Sequence, residues 1–113
     1  MAHMTDLEAY DLAEVTARHA AAGKPYLEFL RRPELSVGLY VLPGGGTDGQ
    51  GPHNEDEVYV VQSGRATLVV GDERRPVGPG TVAFVARHVE HRFVDLEGEL
   101  RVLVFFAPAD SKV

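Results

Sequence analysis

The pattern of apolar and polar positions changes once along the chain. In the N-terminal part, Asp11 and Glu14 have the spacing of a capping box. Gly23 and Pro25 follow as a stop signal, so the pattern predicts one short helix over Leu12–Ala22.

From residue 26 onward, short apolar runs alternate with Gly, Pro and Asp. The strands predicted from these runs span residues 26–30, 35–42, 57–62, 66–70, 74–77, 81–85, 91–94 and 100–106. Hairpin turns are predicted at residues 62–65 and 71–72. Such regular spacing is typical of an antiparallel sandwich or barrel, so the fold class expected is all-β with one short N-terminal helix.

Composition narrows the classes of function. A chain of 113 residues with 44% hydrophobic residues fits one domain. The net charge of −6 disfavours nucleic acid and anionic membrane as partners, because both need a concentrated positive field. The sequence also lacks a long apolar run and a signal-peptide pattern. There is no cysteine, so a metal would need His, carboxylate or water, and a cytoplasmic location is predicted.

A histidine four residues before a glutamate, His53 and Glu57, is a candidate for metal binding. On a straight strand the two residues would lie roughly 13 Å apart, whereas metal ligands sit about 2 Å from the ion. Asn54 and Asp56 favour a turn between them. We therefore predict a chain reversal in which His53 ends one strand and Glu57 begins the next, with both facing one cavity. The glycine-rich segment 43–52 is expected to form a mobile rim beside it.

A third donor, His91, begins another predicted strand. Alternation places His91 and Phe93 on one strand face, and Glu57 and Tyr59 on another. If both faces line one interior, it holds two histidines and one carboxylate, with Tyr59 and Phe93 as pocket walls. The alternative is that His53 is a turn residue and that Glu57 and His91 are solvated. The remaining histidines, His19 and His88, are predicted to be structural or exposed.

Two segments resemble the motifs of the cupin superfamily. Residues 53–64, in which six residues separate Glu57 from Gly64, are similar to the first motif. Residues 80–91, which end at His91, are similar to the second, and with the surrounding strands the resemblance covers roughly residues 35–106. The departures from the motifs are Gly51 in place of the usual first histidine, Ala86 and His88 in place of proline and glycine, and Asp95 in place of asparagine.

This resemblance implies a jelly-roll β-barrel, often dimeric, with a metal in its mouth. The expected ligands are His53, Glu57 and His91, with Gln50 as a candidate weak ligand, and the ion expected is Fe, Mn, Zn or Ni. The function expected is that of a metal-dependent oxygenase or isomerase on a small organic molecule. The alternatives are a non-enzymatic binder or sensor of a small molecule, possible without metal, and a structural barrel whose site has decayed.

The domain organisation predicted is a single barrel with short flanking segments. Residues 1–4 are interpreted as a cloning remnant and start, 5–25 as the helical segment, 26–108 as the barrel and 109–113 as a tail. We expect a homodimer in which residues 26–30 pair with an exposed sheet edge.

Overall fold

The architecture follows from a computed structural model, which describes residues 6–49 and 51–111. Within these ranges one helix precedes six strands, namely α1 (Leu12–Ala22), β1 (Tyr26–Arg32), β2 (Leu35–Leu42), β3 (Asp56–Val70), β4 (Glu73–Val77), β5 (Val82–Val85) and β6 (His91–Ala107). The all-β prediction with one short helix is confirmed, and α1 and β2 have the predicted bounds.

The strands form one antiparallel sheet in the order β1-β2-β6-β3-β4, and β5 also pairs with β3. The ladder between β3 and β6 is the longest, and it runs from Asp56 opposite Ala107 to Val70 opposite His91. β4 and β5 pair with opposite ends of β3, on the side away from β6. The sheet is therefore organised around the β3–β6 ladder.

The hairpin turn predicted at residues 62–65 is wrong, because β3 runs without a break through this position. Its register against β6 shifts three times between Val61 and Thr67. Gly64 has a φ of 82°, and a Cβ atom there would lie 2.4 Å from the carbonyl oxygen of Glu99. The glycine thus marks a bulge where two backbones come close together, and not a turn.

The two strands predicted over residues 91–94 and 100–106 are likewise one strand, β6. The chain passes through Asp95 and Gly98 with φ values of 54° and 70°, so it bends without leaving the sheet. These bends lie opposite the bulges of β3, since Arg65 pairs with Glu97. The whole ladder therefore changes direction at this point.

The ends of two other elements match the predictions in part. The hairpin at residues 71–72 is confirmed, because Val70 and Glu73 are cross-strand partners. Asp11 is the N-cap of α1, but its side chain makes no capping hydrogen bond, so the predicted capping box does not form. Gly23 ends the helix in the left-handed conformation, as the stop signal predicts.

None of the helical residues in the described ranges forms a segment long and apolar enough to cross a membrane.

The core lies between the inner faces of the bent sheet. Its buried members are Tyr40, Leu42, Tyr59, Val61, Ala66, Leu68, Val77, Val85, Phe93, Leu100, Val102, Val104 and Phe106. The predicted alternation is confirmed, because Glu57, Tyr59, His91 and Phe93 are all buried. The helix packs against β1 and β2, and its Val15 is 1% exposed.

Candidate functional site

The candidate site forms where the two ends of the β3–β6 ladder meet. Glu57 pairs with Phe106 at one end, and His91 pairs with Val70 at the other, 13 positions further along β3. On a straight ladder this separation would be roughly 43 Å. The Nε2 atom of His91 nevertheless lies 3.2 Å from Oε1 of Glu57. The ladder therefore folds back on itself, and the bulges and bends described above make that possible.

The third residue, His53, lies in the loop before β3. The prediction that it ends a strand is wrong, because residues 51–55 have no strand structure. The second motif segment binds the backbone of His53, because the N–H of His88 donates a hydrogen bond to the His53 carbonyl at 2.8 Å. Close by, the carboxylate of Asp56 accepts a hydrogen bond from the backbone N–H of Arg87 at 2.9 Å. The two motif segments are thus tied together directly.

The turn of the second motif keeps a left-handed backbone despite its altered sequence. His88 stands where the resemblance leads us to expect glycine, and its φ is 66°. This is a conformation that glycine adopts without strain and that other residues adopt rarely. His88 is exposed and His19 is half-buried with Nε2 bonded to the carbonyl of Pro25 at 2.8 Å, so both histidines behave as predicted.

The three donor side chains face one another inside the barrel. The Nε2 atom of His53 lies 3.6 Å from Oε1 of Glu57, and the two imidazole rings are 5.4 Å apart at an angle of 31°. The side chains of Glu57 and His91 are 1% exposed and that of His53 is 12% exposed. The alternative in which Glu57 and His91 are solvated groups is therefore excluded.

Five atoms of this cluster are buried without a hydrogen-bond partner. They are both carboxylate oxygens of Glu57, both ring nitrogens of His53 and Nε2 of His91. Buried polar atoms in proteins are nearly always hydrogen-bonded, because an unsatisfied one costs about 1–3 kcal/mol. The carboxylate oxygens and imidazole nitrogens in this group are ligand atoms that suit a cation.

The orientation and charge of His91 are set by its neighbours. Its Nδ1 atom lies 2.9 Å from the carbonyl oxygen of Val89, so Nδ1 carries the proton and Nε2 faces Glu57. Burial alone would lower the pKa of His91, but the carboxylate of Glu57 and the carbonyl of Val89 outweigh it and raise the pKa above its usual value. The Nε2 atom of His91 lies 3.2 Å from Oε1 of Glu57 without hydrogen-bond geometry.

A second group of acidic residues lies on the other side of His53, and the sequence did not indicate it. The Oδ1 atom of Asp110 is 4.0 Å from Nδ1 of His53, and Glu55 completes a group whose ligand atoms lie within 4.8 Å of one another. Segment 109–111 is held here because Ser36 Oγ accepts the N–H of Asp110 at 2.9 Å and Ser111 donates to Glu55 at 2.8 Å. These contacts join residues far apart in the chain, so no local pattern could have found them.

A buried carboxylate that the sequence also did not indicate anchors the glycine-rich loop. The Oδ1 atom of Asp48 accepts the hydroxyl of Tyr40 at 2.6 Å, and Oδ2 accepts the N–H of Phe93 at 2.8 Å. Asp48 thereby connects the loop to β2 and to the strand that carries His91.

A cavity of about 160 Å³ adjoins the cluster and is lined by Gly51, Pro52, Val69, Gly71, Glu90, His91 and Arg92. Of the three donor residues, only His91 lines it. The rings of Tyr59 and Phe93 pack in the core with their centroids 5.1 Å apart. The centroid of the Tyr59 ring lies 6.2 Å from that of the His91 ring. Their assignment as pocket walls stays a prediction. The candidate weak ligand Gln50 lies outside the described residues.

Comparison with known proteins agrees with this architecture. An uncharacterized protein of Streptomyces coelicolor is 48% identical over 105 residues, which cover 93% of this chain and 100% of that protein. Among solved structures, TT1209 from Thermus thermophilus has a TM-score of 0.72 at 24% identity, covering 90% of this chain and 98% of the other. KdgF from a Halomonas species has a TM-score of 0.69 at 20% identity, covering 77% of this chain and 80% of the other. At these identities the solved structures show the fold alone.

The match to a family model decides the classification. The model described as "Cupin domain" matches residues 38–106, which contain both motif segments and all three donor residues. The chain therefore belongs to the cupin domain family.

Proposed function

We propose that this protein binds a divalent transition-metal ion through His53, Glu57 and His91 and is a metal-dependent enzyme, of the oxygenase or isomerase type, acting on a small organic molecule. The observation that carries the proposal is the group of buried donor atoms without hydrogen-bond partners, in which one ligand atom from each of the three residues lies within 4.8 Å of the other two. Two imidazoles and one carboxylate suit Fe(II), Mn(II), Zn(II) or Ni(II).

The separations between the donor atoms fit a shared ion. Two ligand atoms, each about 2.1 Å from an ion and seen from it at about 90–120°, lie about 3.0–3.6 Å apart. The corresponding distances from Glu57 Oε1 are 3.2 Å to His91 and 3.6 Å to His53. Glu55 and Asp110 add negative charge beyond His53, which further favours a cation.

The protein's own residues would orient the site and limit access to it. The carbonyl of Val89 holds the His91 ring, and the ring of Phe106 packs 5.0 Å from that of His53. A bound ion would supply Lewis-acid or oxygen-binding chemistry. The cavity of about 160 Å³ is smaller than common ligand pockets, which supports a small substrate. Glu90 and Arg92 at its lining would bind polar groups of that substrate.

The decisive measurement is the metal content of the purified protein and its variants after exposure to metal and then to chelator. His53→Ala, Glu57→Gln and His91→Ala should each lose most of the metal, because each removes one of three protein ligands. His19→Ala and His88→Ala are matched controls, since neither histidine belongs to the cluster, and they should retain it. If His91→Ala retains as much metal as the wild type, the proposed site is wrong.

A second candidate is a non-enzymatic binder or sensor, and Gly51 is the observation that favours it. This residue offers no side chain where the resemblance leads us to expect a ligand, so the ion would have three protein ligands. A protein that cannot be loaded with metal but binds a small molecule would identify this function. We place either activity in the cytoplasm, because the chain has no cysteine.

A further inference from the structure

Segment 109–111, which follows β6, is built into the fold and carries a buried carboxylate. Arg31 on β1 donates from Nη1 to the carbonyl of Asp110 at 3.0 Å. The N–H of Asp110 donates to Oγ of Ser36 on β2 at 2.9 Å. Ser36 and Asp110 are both buried. The backbone of Asp110 is therefore fixed by two strands, and its side chain lies inside the protein.

The carboxylate of Asp110 faces the ring nitrogen of His53 that does not face Glu57. Its Oδ1 atom is 4.0 Å from Nδ1, whereas Nε2 of the same ring is 3.6 Å from Oε1 of Glu57. Nδ1 is buried and has no hydrogen-bond partner. A metal-bound histidine normally donates its second ring N–H to a carboxylate or a carbonyl, which orients the ring. Asp110 lies where such an acceptor is expected.

Glu55 adds a second buried acceptor near the His53 ring. Its Oε2 atom accepts the hydroxyl of Ser111 at 2.8 Å, and its Oε1 atom is buried without a hydrogen-bond partner. One atom from each of His53, Glu55 and Asp110 lies within 4.8 Å of the other two. Buried polar atoms are nearly always satisfied in proteins. The group therefore calls for either an N–H donor or a second cation.

The chemistry of imidazole favours the donor. A neutral imidazole has one protonated and one unprotonated nitrogen, so it binds an ion through one nitrogen while the other keeps its proton. If Nε2 of His53 binds the ion of the proposed site, Nδ1 carries the proton and cannot coordinate a second ion. An N–H group at Nδ1 is also what the neighbouring carboxylates can accept.

We propose that Asp110 is a positioning residue for the metal site and that its carboxylate accepts a hydrogen bond from Nδ1–H of His53. This bond holds the ring in the tautomer whose Nε2 lone pair faces Glu57. It requires the two groups to approach by about 1 Å from their separation in the structure. The inference rests on the proposed metal site, and it adds a residue that lies beyond residues 38–106, the part matched by the family model.

The two histidine ligands are thus oriented by acceptors of different charge. His91 directs Nδ1 to the neutral carbonyl of Val89, whereas His53 directs Nδ1 to a carboxylate. A charged acceptor raises the basicity of the imidazole and makes it a stronger ligand. This support is most needed at His53, because His53 lies in a loop and His91 lies on a strand.

Zinc affinity, measured by competition with a chelator, tests the role of Asp110. Asp110→Asn keeps the size of the side chain and removes its charge, so it should weaken zinc binding by about tenfold or more. Asp95→Asn is the matched control, because it makes the same change at an exposed position of β6 and should bind zinc like the wild type. Glu55→Gln removes a neighbouring charge but keeps Asp110, so it should weaken binding less than Asp110→Asn. Equal weakening by these two variants would show that charge alone matters and would overturn the inference.

NMR of the zinc-loaded protein gives a readout that a purely structural role would not change. With Asp110 as acceptor, the Nδ1–H proton of His53 should resonate downfield and exchange slowly with water, and in Asp110→Asn it should move upfield and exchange faster. Thermal unfolding of the metal-free proteins should show that the variants remain folded. An unchanged Nδ1–H signal in Asp110→Asn, or zinc binding as tight as in Asp95→Asn, overturns the inference while the metal site stands. A wild type that binds no zinc overturns the metal site and this inference together.

Discussion

At the scale of single residues, two of the buried carboxylates, Asp48 and Glu57, have opposite surroundings. Asp48 accepts hydrogen bonds from Tyr40 and Phe93, whereas neither oxygen of Glu57 has a hydrogen-bond partner. Burial and the bond to Asp48 raise the pKa of Tyr40, so this hydroxyl stays protonated and acts as a donor. The satisfied carboxylate is structural, and the unsatisfied one is the group from which a function is inferred.

The hydrogen bond from Tyr40 can be tested through stability. Tyr40→Phe removes one donor to the buried Asp48, and we expect the free energy of unfolding to fall by about 1–3 kcal/mol. Urea denaturation measures this change. Tyr10→Phe is the control, because its hydroxyl bonds to Glu8 at the surface, and it should change stability by less than about 0.5 kcal/mol. Equal effects of the two substitutions would contradict the structural role of Asp48.

Gly51 permits a test of the missing ligand. A Cβ atom at Gly51 would meet nothing within 4 Å, and the residue lines the same cavity as His91. Gly51→His should therefore add a ligand and tighten metal binding by about tenfold, equivalent to about 1.4 kcal/mol, measured by competition with a chelator. Gly49→His is the control, since that position is equally open. If both variants behave like the wild type, position 51 does not face the ion.

At the scale of elements, the sequence predicts correctly those features that depend on interactions between residues close together in the chain. The bounds of α1 and β2 and the inward direction of Glu57 and His91 follow from stop signals and alternation. The bulge at Gly64 was mistaken for a turn, because Ser-Gly is compatible with both and the deciding contact comes from β6. The positions of Glu55 and Asp110 beside His53 also depend on contacts between distant segments, so the sequence could not predict them.

β1 lies at the edge of the sheet, and its pairing with a second copy stays a prediction.

The bulge should be sensitive to any side chain. Gly64 and Gly98 both have positive φ, but only at Gly64 would a Cβ atom collide with backbone, at 2.4 Å from Glu99 oxygen. Gly98→Ala should lower the free energy of unfolding by about 1–2 kcal/mol, because of the backbone conformation alone. Gly64→Ala should lower it by about 1–3 kcal/mol more, because the β3–β6 ladder must shift. Urea unfolding of the two variants measures the difference, and equal costs would show that the close approach is not required.

At the scale of the whole molecule, the donor cluster joins the two ends of a folded ladder. An ion held by His53, Glu57 and His91 would therefore stabilise the folded sheet and not only its own surroundings. A ligand present at 100 times its dissociation constant stabilises the folded state by about 2.7 kcal/mol.

Metal removal should consequently be visible in thermal unfolding. For a domain of this size we expect chelator to lower Tm by about 10 °C, measured by differential scanning calorimetry. Glu57→Gln should lower the Tm difference between metal-loaded and chelated protein to nearly zero. A wild-type Tm that does not respond to chelator would mean that no ion links the ends of the ladder.

The folded ladder also determines when the site can exist during protein synthesis. His91 pairs back to Val70, so this end of the ladder can form soon after residue 91 has left the ribosome, whereas the end at which Glu57 pairs with Phe106 must wait for residue 106. Before that moment the strand that carries Glu57 is not held by β6. Because such long-range pairing is the slow part of β-protein folding, the three donor residues come together late, and an ion captured by them would select chains whose ladder has already formed.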